Sequence, residues 1–178
     1  MKIKNMLEAL PGLVLRGHEQ AARIPDSLIA AVGRFSIAAV FWKSGQTKVE
    51  GFAIDLIDGV FQPGIPALSG SAVDLFREEY RLPLIDPHVA ATAAAAAEHV
   101  FPALLLLGLA TRLSAVALLV MTLTIQLLVY PGAYPTHGLW MAVLLFLIAR
   151  GGGVLSLDHL IGQRLASPSR APTWSGAQ

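Results

Sequence analysis

Arg34, Glu98 and His99 lie inside stretches that are otherwise almost wholly apolar. If those stretches cross a bilayer, each buried charge costs about 2.5–3.5 kcal/mol on insertion scales, so such groups are functional candidates by default. Gln126 occupies a comparable place in a third stretch, where it is expected to bond across to a neighbouring helix. Lys43, Gln46 and Lys48, with Thr47, cluster where the first apolar stretch ends. Two readings of that cluster stand: interfacial cations that snorkel, or the polar mouth of a pocket. The histidines fall at 18, 88, 99, 137 and 159, with no pair at metal-ligand spacing on one helix, so no metal site is expected. The chain contains no cysteine, which excludes disulfides, thiol catalysis and iron–sulfur ligation. It has no phosphate loop, dinucleotide-binding glycine pattern or nucleophile elbow, so no catalytic residue is assigned.

The elements that must hold these residues follow from hydropathy. The 178 residues are 54% hydrophobic and 14% charged, with a mean hydropathy of +0.61. An average soluble domain is about 25% charged, so lipid is the expected solvent. The net charge of +1 gives no argument for nucleic acid as a partner. A spanning helix needs about 20 mostly apolar residues for about 30 Å of hydrocarbon. Four stretches meet this need at about 25–45, 87–109, 112–130 and 137–155. The fold class is therefore all-α: an integral-membrane four-helix bundle within residues 25–155. Residues 1–24 read as a cytoplasmic or interfacial leader, and 156–178 as a partly disordered cytoplasmic tail.

The connections differ in length. Ala110-Thr111 makes a tight hairpin of spans two and three, and Pro131 to Thr136 form a proline-bounded turn. Residues 46–86 form a long loop with expected interfacial helices at Phe52–Val60 and Ser71–Arg81, the second capped by Ser71. Trp42, Tyr130, Tyr134 and Trp140 fall near one boundary as an aromatic belt. Lys2, Lys4, Arg16, Arg23, Arg112, Arg150, Arg164 and Arg170 flank one side of the spans; only Lys48, Arg77 and Arg81 flank the other. That bias puts both termini in the cytoplasm of a multi-pass protein of the bacterial inner membrane, with the long loop in the periplasm. The loop sets its three cations against Glu50, Asp55, Asp58, Asp74, Glu78, Glu79 and Asp86, and is acidic.

Depth arithmetic yields one specific contact. Arg34 to Gly45 is eleven residues, roughly 16 Å at the α-helical rise, and Pro87 to Glu98 is the same. If both spans share an outer boundary, Arg34 and Glu98 face each other. Such a pair is either a structural ion pair that sets helix register or a ligand, proton or quinone site. Pro102 lies one turn beyond Glu98; a proline there leaves the Glu98 carbonyl without its helical partner and allows a kink beside the acid. His99 reads first as a helix-to-helix hydrogen-bonding group.

Four stretches carry a resemblance. Phe41-Trp42-Lys43-Ser44-Gly45-Gln46-Thr47-Lys48-Val49-Glu50-Gly51 is similar to the end of the first span in DoxX family membrane proteins. Leu75-Phe76-Arg77-Glu78-Glu79-Tyr80 with Pro83 resembles the loop before their second span. Ala97-Glu98-His99-Val100-Phe101-Pro102 with Leu107-Gly108-Leu109-Ala110-Thr111-Arg112 resembles their second-span core and turn. Ile148-Ala149-Arg150-Gly151 and Leu155-Ser156-Leu157-Asp158 resemble their C-terminal end. The resemblance covers about residues 28–162 and implies a four-helix membrane bundle. DoxX-like and DoxD-like proteins have been linked to thiosulfate:quinone oxidoreduction, and others to oxidative-stress assemblies. The resemblance thus implies a membrane subunit of a redox or stress-response assembly, with quinone as the cofactor class and a protein partner or homo-oligomer. It transfers no catalytic residue. Two other readings stay open: a non-enzymatic scaffold that anchors a partner through the loop, and a small transporter or permeability factor.

Overall fold

The structure, a computed structural model, describes residues 15–16, 18–55 and 59–166. Most of the leader and the tail beyond Ala166 lie outside these residues. Among the described residues, four helices are long and apolar enough to cross a membrane, and they pack as an all-α bundle. They are α1 (Asp26–Gln46), α3 (Pro87–Leu107), α4 (Thr111–Leu128) and α5 (Tyr134–Arg150). A short α2 (Gly70–Asp74) runs into a π-helical turn (Leu75–Tyr80), and α6 (Leu157–Ala166) follows the bundle.

Local chemistry explains the ends. Asp86 caps α3, its Oδ1 accepting from the N–H groups of His88 (2.9 Å) and Val89 (3.2 Å), and Pro87 supplies a preset first turn. Gly108, at φ +66°, stops the same helix in the left-handed region, and the Leu109 N–H donates back to the Leu104 carbonyl. The last span begins at Tyr134, with Pro135 in its first turn, rather than at 137. It stops at Arg150 rather than 155, because Gly151 and Gly153 both take positive φ and turn the chain away.

The core is built from small residues that bring backbones close. Ala30, Ala38 and Ala115 pack with Ile37, Phe41, Leu105, Leu118, Leu144 and Leu147. A second cluster joins the long loop to α3: Ala72 and Phe76 bury themselves against Ala90 and Ala91.

That loop corrects two expectations. Phe52–Val60 is not a helix: β2 (Ala53–Asp55) pairs antiparallel with β3 (Val60–Gln62), with Ile54 opposite Phe61. The backbone of Ile54 is taken up by α1 side chains, which leaves it extended: the Trp42 indole donates to its carbonyl (2.8 Å), and its N–H donates to Gln46 Oε1 (2.7 Å). β1 (Val49–Glu50) pairs antiparallel with β4 (Ala67–Leu68). The cap of the next helix is Ser69, not Ser71. Ser69 follows β4 in an extended conformation, and its hydroxyl accepts from the Ala72 N–H (3.2 Å).

Candidate functional site

The expected contact between Arg34 and Glu98 does not form. Gly45 of α1 lies against Glu98: a Cβ on Gly45 would sit 3.0 Å from the Glu98 Cβ and 2.9 Å from the His99 ring. Helix α1 thus ends level with the middle of α3 and does not share its outer boundary. The first turns of α3 run on alone and are covered by the loop, which returns Lys48 to Glu98.

Lys48 Nζ lies 2.7 Å from Glu98 Oε2, with the two side chains only 4% and 3% exposed. At that distance the ammonium makes a charge-assisted contact with Oε2. Ser44 donates its hydroxyl to Glu98 Oε1 (3.2 Å), and Lys48 also donates to Ser44 Oγ (3.1 Å) and to its carbonyl (3.3 Å). Lys48 is therefore a buried partner of the acid, not a snorkelling surface cation.

His99 and Gln46 form the adjoining wall. The Ala95 carbonyl can only accept, so His99 donates to it from Nδ1 (2.7 Å). His99 Nε2 then accepts from Gln46 Nε2 (2.7 Å), whose Oε1 already takes the Ile54 N–H. Both ring nitrogens are engaged, and Trp42 and Phe52 pack edge-on against the ring at 5.1 and 6.1 Å between centroids. His99 is a strut between α1, α3 and the hairpin.

Glu98 also lines a cavity of about 430 Å³ in the groove between α3 and α4. The π-helical turn closes one end with Phe76 and Tyr80; Ile85, Val89, Ala93 and Val120 line the flank. Val89, Ala93 and Val120 are exposed residues of spanning helices, so the groove opens sideways, where lipid lies. Its wall is apolar apart from Glu98, Tyr80 and Thr124. Burial first, then the Glu98 and Glu79 charges, push the Tyr80 hydroxyl above its ordinary pKa, so Tyr80 remains an O–H donor at neutral pH. Glu79 accepts from the Tyr130 hydroxyl, clasping the π-helical turn to the α4–α5 connection; this bond, more than burial, pushes Tyr130 up to about 12.

The remaining candidates lie elsewhere. Lys43 is exposed and pairs with Asp55 at 3.6 Å. Gln126 binds within and across helices: its Oε1 lies 2.8 Å from His137 Nδ1 of α5, and its Nε2 donates to the Pro131 carbonyl (2.7 Å). Arg34 reaches the opposite end of the bundle, donating to the carbonyls of Leu105 (3.1 Å) and Leu155 (2.6 Å). There Asp158 serves as a remote cap of α4, accepting from the N–H groups of Ala110 (2.7 Å) and Thr111 (2.8 Å). Burial acts to raise the Asp158 pKa, but the Thr111 and Ala110 hydrogen bonds with the Arg34 charge outweigh it, and the net shift is downward. Ser44, Tyr80 and Asp158 are the partners that sequence reasoning missed. The signal for the first was the Ser44-Gly45 pair, two small residues that admit another helix.

A bundle of four spanning helices enclosing a buried acid–base pair beside a lipid-side groove defines a small polytopic membrane protein. The chain belongs to the DoxX family, whose model matches residues 29–131. The model described as TQO small subunit DoxD matches residues 88–175. No curated protein and no solved structure matches the chain.

Proposed function

We propose that this DoxX-family protein is a membrane subunit of a redox assembly, and that a lipid-soluble quinone docks in the α3–α4 groove against Glu98. The observation that carries the reading is an almost fully buried carboxyl group, held by Lys48 and Ser44, among the residues that line an apolar groove open to lipid. The groove lies within the usual size of small-molecule pockets, about 300–1,000 Å³. The residues present suit such a group: Tyr80 supplies an O–H donor, Glu98 a carboxyl group backed by the Lys48 ammonium, and alanines and valines a surface for an apolar ring and tail. A bound quinone would supply two-electron, two-proton redox chemistry. Lys48 would offset the charge on Glu98 when the carboxyl gives up a proton, and the apolar wall would exclude water. The match to the DoxD family supports a partner subunit as the source of electrons. The excess of Lys and Arg beside the α3–α4 turn supports an inner-membrane orientation with both termini in the cytoplasm.

The test is photolabelling of the purified full-length protein in nanodiscs with an azidoquinone. Saturable labelling of α3 or α4 peptides is expected, lost in Ala93→Trp, whose side chain fills the groove, and retained in Arg34→Lys. Labelling that is absent, or indifferent to Ala93→Trp, overturns the reading.

A further inference from the structure

The loop between α1 and α3 carries large apolar side chains on its outside. Leu84 is 107% exposed, Ile65 90% and Phe61 72%, with Val60 and Ile85 about half exposed. Leu84 is also held at φ +66°, a left-handed conformation that branched and bulky residues rarely adopt. Backbone strain that turns a leucine fully outward needs a medium that welcomes it. Grouped exposed apolar side chains mark an interaction surface.

The position of the loop says what that medium is. Its inner side, Ala72 and Phe76, covers Ala90 and Ala91, which belong to the first turns of the spanning helix α3. Phe76, Tyr80 and Leu82 line the groove together with Ala117 to Ile125 of the spanning helix α4. The loop therefore lies alongside residues that are themselves within the span. Ile85, which follows Leu84, lines the groove together with Val89, an exposed residue of α3, so the apolar surface of the loop adjoins the lipid-facing surface of the bundle there.

We infer that the 47–86 segment is not a water-exposed extramembrane loop but a re-entrant layer of the bundle, with Phe61, Ile65 and Leu84 inserted into the acyl–headgroup boundary of the bilayer. It covers the outer turns of α3 that α1, offset along the bundle, does not reach. Within it, the backbones of residues 49–50 and 67–68 and of 53–55 and 60–62 pair in two short β ladders, and Ile54 is met further by Gln46 and Trp42, which lowers the cost of backbone at membrane depth. Asp74, Arg77 and Glu78 stay exposed at its polar side, with Asp74 and Arg77 paired at 2.8 Å. This inference does not depend on the quinone reading.

The absence of cysteine makes the test direct. Single variants Phe61→Cys, Ile65→Cys and Leu84→Cys of the full chain are nitroxide-labelled in phosphatidylcholine–phosphatidylglycerol vesicles. Collision with oxygen, which partitions into lipid, is compared with collision with a water-soluble nickel chelate. Val100→Cys on the exposed side of α3 is the lipid reference and Glu78→Cys the aqueous one. The expected result is an oxygen-to-nickel ratio at Ile65 and Leu84 near that of Val100 and several-fold above that of Glu78. Ratios equal to that of Glu78 overturn the inference. So does shielding from both reagents, which would mean a second copy of the chain covers the surface. Ile65 lies away from the strained Leu84 backbone, so a folding defect at Leu84 does not remove the test.

Discussion

The two ends of the bundle both bury a charge, but they handle it differently. At the α3–α4 turn, Arg34 is met by two backbone carbonyls and stands in the field of Asp158, whose carboxylate is taken up by two backbone N–H groups. Gly108 leaves room for this knot: a Cβ there would lie 2.2 Å from the Arg34 guanidinium and 2.8 Å from the Ser156 backbone. The groups are tied to main chain and helix ends, which is the arrangement that holds a fold. At the other end Glu98 meets a side-chain cation and a serine hydroxyl, and it is among the residues that line a groove. A buried charge alone is therefore a poor mark of function; what matters is whether it adjoins a space that a ligand could enter.

The sharpest way to break this comparison is to cut each end in turn. Lys48→Ala should destabilise the detergent-solubilised protein by about 3–5 kcal/mol, since it leaves Glu98 buried and unpaired. The double variant Lys48→Met with Glu98→Gln should recover most of that in thermal unfolding, yet lose azidoquinone labelling. A double variant no more stable than the single one would show that the contact is not electrostatic. At the other end, Arg34→Leu removes a bond to the Leu155 carbonyl at about 1–3 kcal/mol, while the Leu105 carbonyl keeps the Gly108 N–H, and labelling of the remaining folded protein should be unchanged. Lost labelling there would dissolve the distinction between the two ends.

A smaller effect is expected from pH. Asp158 has a folded pKa below its unfolded one, so its contribution is fully present above about pH 4 and is lost as pH falls through the folded value. The melting temperature of wild type should drop more on acidification below pH 4 than that of Asp158→Asn, which should start lower and respond less. Parallel acid profiles would contradict the cap. The smallest effect belongs to Tyr130→Phe, which removes the exposed clasp on the π-helical turn. The global melting temperature should stay put while hydrogen exchange in residues 75–80 quickens; unchanged exchange would show that the turn is held by Phe76 packing alone.

Several features were legible in the residue order because they are local. The apolar lengths of the four spans, the start of the second at Pro87 and the tight turn at Ala110-Thr111 each depend on neighbours a few positions away. Gln126 was read as an interhelical group from one polar amide in an apolar stretch, and it bonds His137. Glu98, His99, Gln46 and Lys48 were each singled out from the residue order, and they gather in one place.

Which charge meets which was decided only by tertiary structure. A helix pattern gives the face and the length of a span, but not its axial offset from a neighbour. Counting from a shared boundary paired Arg34 with Glu98; the contact of Gly45 with Glu98 shifts the helices and gives Glu98 to Lys48 and Arg34 to the opposite turn. The same holds for the loop, whose Ile54 is extended because Trp42 and Gln46 of another element bind its backbone. Hydropathy along one chain segment reports how much of it leaves water; the register between segments comes from small residues meeting across the bundle.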